Sequence, residues 1–272
     1  MIDGALAGAI GIGAILPPRR RARQGMLDAV MLDEDRSIGR LLTRREVLAL
    51  LGAGGVAALQ ARAGGIAAAA AAPGGCVVRP ALTEGPYFVD EKLERSDIRS
   101  DPSDGSVRPG APLRLALRAS RLSSGACAPL PGAMVDLWHC DAAGVYADVT
   151  DPGGRSVGRK FLRGYQLTDA EGLAHFTTIY PGWYPGRAVH IHFKVRVAAT
   201  GGRVLDFTSQ LFFDDALSDQ VYAQPPYVAR GARRVRNERD GIYRQAGGRL
   251  TLAVSPAATG YAAAFDLALE VG

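Results

Sequence analysis

The sequence predicts an all-β protein: a single β-sandwich domain with long loops, preceded by an export signal. Three observations lead there. From Pro80 onward, short runs of alternating apolar and polar residues are separated by clusters of Gly, Pro, Asp and Ser, the rhythm of strands and turns. Little of this region carries a helical period, and no internal repeat is visible. Ahead of it stands a basic, then apolar, then small-residue segment of the kind that directs export.

The expected strands are Leu113–Ala119, Ala133–His139, Gly164–Leu167, Leu173–Thr178, Val189–Val197, Asp206–Phe213, Leu250–Val254 and Phe265–Val271. Between them SSGACAPLPG, DPGGRSVG, TDAEG, PGWYPG and ATGG are turns or loops by composition. Short strands with short connections and little helix favour two stacked sheets. Leu217–Ala223 is expected to make one or two helical turns, capped by Asp215 or Ser218.

The first 72 residues are set apart. Arg44 and Arg45 precede an apolar run of 13 residues, Val47 to Leu59, and small residues follow within Ala67–Ala72. That run is shorter than the roughly 18–20 residues a membrane-spanning helix needs, so a cleaved signal is expected rather than an anchor. The arginine pair resembles the twin-arginine type, which moves folded, cofactor-loaded proteins. Residues 1–72 are thus assigned to the signal and a low-complexity linker, and residues 73–272 to the sandwich.

This division changes the charge argument. Nine of the 32 basic residues and six of the 27 acidic ones fall in the first segment, leaving 23 against 21 in the second. The net of +2 does not point to a nucleic-acid partner, despite a whole-chain pI of 9.3. The cluster Arg230, Arg233, Arg234, Arg236 and Arg239, interleaved with Glu238 and Asp240, reads as a solvated, ion-paired loop.

Export permits a disulfide among Cys76, Cys127 and Cys140. With Ala133–His139 as one straight strand, Cys127 and Cys140 stand roughly 20 Å or more apart, too far for a bridge. Cys76 is left able to pair with either, or to carry a lipid. The odd count leaves at least one cysteine unpaired within a monomer.

The densest chemistry lies in Tyr180–Phe193, YPGWYPGRAVHIHF. In a strand, His190, His192, Lys194 and Arg196 leave one face, and Val189, Ile191, Phe193, Val195 and Val197 the other. Two imidazoles about 6–7 Å apart along the backbone can lean onto one metal ion. The loop before them presents Trp183, Tyr184 and Arg187. Elsewhere, VDLWHCDAAGVYAD presents Tyr146 after a strand, TEGPYF is a Gly-Pro turn with aromatics, and TSQLFF sets Gln210 beside Thr208 on a polar face. Taken singly, each has an ordinary structural explanation; His139 and His175 read as satisfied interior or surface residues.

Taken together, TEGPYF, VDLWHCDAAGVY, FLRGYQLTDAEG, IYPGWYPGRAVHIHFKV and SQLFF resemble the intradiol ring-cleavage dioxygenases, over about residues 76–254. The resemblance implies a β-sandwich with long active-site loops. It implies a non-haem Fe(III) ion held by Tyr146, Tyr184, His190 and His192. It further implies a small aromatic diol and O2 as substrates, and a cis,cis-muconate-type product. Arg187 matches an arginine that stabilises developing negative charge, Tyr184 a tyrosine that leaves the metal to accept a substrate proton, and Gln210 a glutamine that contacts the bound ring. Gly85, Pro86, Tyr87 and Trp183 fall where the family builds its substrate pocket. The ligand set is chemically coherent. Ionising a tyrosine at neutral pH costs roughly 4 kcal/mol, which a trivalent ion more than offsets.

Two departures accompany the resemblance. Catechol 1,2-dioxygenases usually carry a helical N-terminal dimerisation domain, whereas only about 40 residues here separate the linker from the first expected strand. Trp183 stands where a smaller residue is common. Export and WHCDA point to the secreted, single-domain branch. Among other classes, a cupin needs a glutamate shortly after its HxH, where this chain has Val195, Arg196 and Val197. The competing reading is a secreted, transthyretin-like β-sandwich binding module without catalysis, which gives no reason for Tyr146, Tyr184, His190, His192 and Arg187 to occur together.

Overall fold

Two antiparallel-rich sheets face each other in the computed structural model, which describes residues 76–150, 156–198 and 203–271. The strands are β1 (Pro112–Ser123), β2 (Ala126–Pro129), β3 (Met134–Trp138), β4 (Arg163–Leu167), β5 (Leu173–Ile179), β6 (His190–Ala198), β7 (Val204–Phe212), β8 (Val254–Pro256) and β9 (Tyr261–Glu270). One sheet runs β2-β1-β9-β8 with β5 also paired to β1, and the other runs β4-β3-β6-β7. The all-β sandwich expected from the sequence is what forms. The segment assigned to export, the ATGG turn and part of DPGGRSVG lie outside the described residues.

The core sits between the sheets. Leu113, Leu115, Leu117, Phe176 and Phe265 from one sheet meet Val135, Leu137, Ile191, Phe193 and Val195 from the other, all buried. Phe193 and Phe265 touch across the gap with ring centroids 5.7 Å apart. Removing apolar area of this kind from water supplies roughly 1.5–3 kcal/mol per large side chain, which is what drives the sheets together.

Local chemistry explains where the elements depart from expectation. SSGACAPLPG is not wholly a loop, because Ser124 and Gly125 both take positive φ and close a two-residue hairpin between β1 and β2. Leu250–Val254 gives up most of its expected strand character: Thr251 makes one isolated bridge to Phe212, and regular pairing begins only at Val254. Helix α1 is Asp215–Tyr222, and its cap is Asp214, which accepts from the Leu217 N–H at 2.9 Å, rather than Asp215 or Ser218. An unanticipated helix α2, Gly241–Ala246, is capped by Asp240 and ends at Gly247 in the left-handed region. Of the expected solvated, ion-paired arginine cluster, Arg233 and Arg236 do form ion pairs, but with α1, and the Arg233 side chain is nearly buried: Arg233 binds Asp215 and Asp219, and Arg236 binds Asp219.

Cys76 pairs with Cys127, and Cys140 is a buried free thiol. His139 is a satisfied interior residue, with Nδ1 2.8 Å from the Cys140 carbonyl and Nε2 2.7 Å from the Thr178 hydroxyl. No described helix is long and apolar enough to cross a membrane.

The disulfide joins residues 51 apart in sequence. Cross-linking a loop of that size is worth about 4 kcal/mol in the chain-entropy account, with measured values commonly 2–4. Cys127→Ser should therefore lower the unfolding free energy by about 2–4 kcal/mol in a denaturant titration. Native protein should expose no thiol to a labelling reagent, and Cys140 should react only after unfolding.

Candidate metal centre

The antiparallel register lines up four residues abreast across the second sheet: Arg163 on β4 opposite Trp138 on β3, Trp138 opposite His192 on β6, and His192 opposite Gln210 on β7. Residues directly opposite share a face. This is the face turned away from the core, where alternation along β6 also places His190 and Lys194. It is not a solvent face. His190, His192 and Gln210 are almost completely buried, with Tyr87, Tyr146, Tyr184 and Asp240 brought in over or beside them from other segments.

Two loops bring the phenols. Tyr146 ends the turn after β3, which Asp141 organises by accepting from the backbone N–H groups of Ala143 and Val145. Tyr184 sits in the Pro181–Gly186 loop ahead of β6. The two loops press together through glycine. A Cβ on Gly182 would lie 2.4 Å from the Asp141 carbonyl oxygen, and one on Gly144 would lie 2.3 Å from that of Trp183. Any larger residue at either point would push one tyrosine away from the other.

The four polar ends converge. His190 Nε2 stands 3.0 Å from His192 Nε2, 3.2 Å from Tyr184 Oη and 3.4 Å from Tyr146 Oη. Ligand atoms about 2.0–2.1 Å from one metal stand roughly 2.8–3.4 Å apart when their mutual angles are octahedral (cis) to tetrahedral. The donor set therefore fits a single ion. Among the described residues no group of three or more His, Cys, Asp and Glu is placed to hold a metal. Hard phenolate donors favour a hard, highly charged ion over zinc.

The surroundings tune these donors. His190 Nδ1 donates to the Ala188 carbonyl at 2.7 Å, which leaves Nε2 unprotonated and aimed at the centre. His192 is held instead by stacking on Trp138, with ring centroids 5.0 Å apart and planes 10° from parallel. Burial, then the Arg187 charge, pulls the His190 pKa down to about 3. Burial and the neighbouring His190 hold His192 well below the ordinary histidine value. Burial pushes both phenols up, and Arg187 opposes it in each. One guanidinium thus favours the deprotonated, metal-binding form of all four side chains.

Arg187 is itself buried. Its Nε donates to Asp240 at 2.9 Å and its Nη2 to Gln210 Oε1 at 2.6 Å, while Gln210 Nε2 donates to the Thr83 carbonyl at 2.9 Å. That last bond ties the TEGPYF segment to β7. Gly85, with φ of 72°, and exposed Pro86 form the turn that delivers Tyr87. Tyr87 stacks on Tyr146, centroids 4.4 Å apart, and meets Tyr184 edge-on at 5.9 Å. Trp183 is half-buried beneath the Arg230 guanidinium, 4.3 Å from its ring centroid.

Tyr146, Tyr184, His190, His192, Arg187, Gln210 and Tyr87 are thus brought together, while Gly85, Pro86 and Trp183 lie in the loops that carry Tyr87 and Tyr184. Sequence reasoning missed Asp240 and the buried Arg163, whose Nε and Nη2 both donate to the Ala147 carbonyl beside Tyr146. The helix-start signature of Asp240-Gly241 with Gly247-Gly248 closing the turn could have marked α2. Nothing local marks Arg163.

Comparison with known proteins gives the same placement. The family profile described as Dioxygenase matches residues 83–235. The chain is 31% identical to an intradiol ring-cleavage dioxygenase from Tetranychus urticae, covering 72% of this chain and 95% of that one with a TM-score of 0.62. It is 30% identical to the dioxygenase domain of a dioxygenase and carbohydrate-binding fusion from Streptomyces sp. SirexAA-E, covering 72% and 100% with a TM-score of 0.51. It is 32% identical over 158 residues to the protocatechuate 3,4-dioxygenase beta chain of Burkholderia cepacia, covering 53% of this chain and 65%, just under two thirds, of that relative. With the family profile matching more than half of the chain and relatives of this identity and coverage, the chain belongs to the intradiol ring-cleavage dioxygenase family.

Proposed function

We propose that this protein opens catechol-type rings between the two hydroxylated carbons with O2, giving a cis,cis-muconate-type diacid. The convergence of Tyr146, Tyr184, His190 and His192 within 3.0–3.4 Å of His190 Nε2 carries the reading. These four side chains would hold Fe(III). When bound, that ion supplies Lewis acidity toward the diol oxygens and a path for electron density between diol and O2. Both atoms of O2 enter the product, so no external reductant is consumed.

The chain's own residues supply the rest. Tyr184 is the less enclosed phenol, and burial raises the basicity of its oxygen. Its phenolate is placed to take a proton from an incoming hydroxyl. Arg187, buried and held on two sides, puts a fixed positive charge where the substrate gains negative charge. Gln210 accepts from Nη2 of that guanidinium and links it to the TEGPYF strap. Tyr87 and the Gly85-Pro86 turn wall the centre, and Tyr87 also braces Tyr146. Trp183 and Arg230 border the loop that carries Tyr184. A binding module without catalysis would have no use for two phenols and two imidazoles sharing one point.

We further propose that the protein is exported. Arg44-Arg45 and the apolar run behind them support it, and so does the Cys76–Cys127 disulfide, a bond of oxidising compartments.

Purified protein should bind one iron per chain and show a visible phenolate-to-iron absorption band. Tyr184→Phe should shift that band; an iron-replete, colourless protein would remove the reading. Arg187→Ala should keep iron and colour while lowering kcat/KM roughly 10²–10³-fold, measured by oxygen uptake with catechol, protocatechuate and hydroxyquinol. Replacing Arg44 and Arg45 by lysine should trap the unprocessed precursor inside the cell, scored by fractionation.

A further inference from the structure

We infer that Asp240, outside the region matched by the family profile, is a positioning residue that aims Arg187 at the reacting centre. The inference rests on the ring-cleavage reading, since it names the residue on which the arginine of that reaction depends.

One carboxylate makes four hydrogen bonds in two directions. Asp240 Oδ2 accepts from Arg187 Nε at 2.9 Å and from the Ala188 N–H at 2.7 Å. Asp240 Oδ1 accepts from the N–H groups of Ile242 and Tyr243, the first turn of α2, at 2.8 and 3.1 Å. The Ala188 peptide is consequently gripped at both ends. Its N–H donates to Asp240, and its carbonyl accepts from the Nδ1–H of His190. Ring contacts follow the same line, from Tyr243 of α2 to Phe212 and from Phe212 to His190.

A capping role alone does not account for this arrangement. Ser, Thr or Asn would cap a six-residue helix adequately. Arg187 and Asp240 are 6% and 1% exposed, and a guanidinium that deep requires a counter-charge at bonding distance. A carboxylate alone offers charge together with acceptors for all four donors. Burial pushes the Asp240 carboxyl up, but Arg187 and the surrounding N–H groups outweigh it and hold it below the ordinary value, so the pair is charged. Arg187 is thereby fixed at two of its nitrogens, by Asp240 at Nε and Gln210 at Nη2. Its direction is set before substrate arrives.

The test compares wild type, Asp240→Asn, Arg187→Ala and the double variant as full-length, iron-loaded protein. The Asn side chain keeps one oxygen for the helix but turns an NH2 group toward Arg187 and Ala188. We expect iron content and the resting absorption band to stay at the wild-type level in Asp240→Asn. Affinity for 4-nitrocatechol, titrated without oxygen, should fall at least fivefold, and kcat/KM for catechol at least tenfold. The double variant should be within about twofold of Arg187→Ala, because both changes disable one device. Wild-type behaviour of Asp240→Asn, or losses that multiply in the double variant, would overturn the inference. Should Asp240→Asn fail to fold, Asp240→Glu keeps the charge but displaces it by one methylene. A fivefold change in 4-nitrocatechol affinity with an unchanged resting band then supports the inference, and unchanged affinity overturns it. Wild type that binds 4-nitrocatechol without cleaving catechol would sink the ring-cleavage reading, while the nitrocatechol titrations still judge Asp240.

Discussion

The register of three antiparallel strands is the constraint on which the rest depends. Pairing Trp138 with His192 and His192 with Gln210 puts an indole, a metal-binding imidazole and an amide in one row on one face. Slipping β6 by a single residue would turn both histidines into the hydrophobic core and bring Ile191 and Phe193 out. The core itself forbids that slip, because Ile191, Phe193 and Val195 are needed between the sheets. Apolar packing on one side of β6 therefore enforces the chemistry on the other.

A sheet face carrying imidazoles, an amide and a lysine would ordinarily be wet. Here it is enclosed by ion pairs together with a small apolar cluster, Trp138, Tyr146 and Val149 with Tyr87, Phe88 and Val89 packed on it. Lys194 binds Glu84 and Asp206 and lies over Phe88, while Arg196 bridges Asp90 and Asp136. These contacts hold segment 83–91 down and bring Tyr87 against both phenols. Exclusion of water strengthens each electrostatic interaction beneath, which is why one arginine influences all four donor groups.

The glycines at 144 and 182 belong to the same economy of space. Each lets one tyrosine loop lie directly on the backbone of the other, so two phenols separated by 38 positions reach one imidazole nitrogen. The Cys140 thiol reinforces the join by donating to the Gly182 carbonyl, and its burial pushes its pKa far up, leaving it an inert packing group.

Period-two alternation sufficed to announce the sandwich, the strand bearing His190 and His192, and the faces on which its residues lie. It could do so because alternation is a local property of the chain. The histidine pair was legible from its strand, whereas Tyr146 and Tyr184 were named as donors only through the resemblance that the combined motifs carry. What only the tertiary structure decided was distance and enclosure. The choice of Cys127 over Cys140 as partner of Cys76, the cap at Asp214, and the burial of Gln210 all depend on segments remote in sequence. Asp240 is the plainest case. As one acid in an arginine-rich stretch it reads as a surface counter-ion, and only folding, which carries it 53 positions back to Arg187, makes it the buried carboxylate of the site. Pattern reports which way a side chain faces; pairing of charges across the fold is a long-range event that no window of sequence contains.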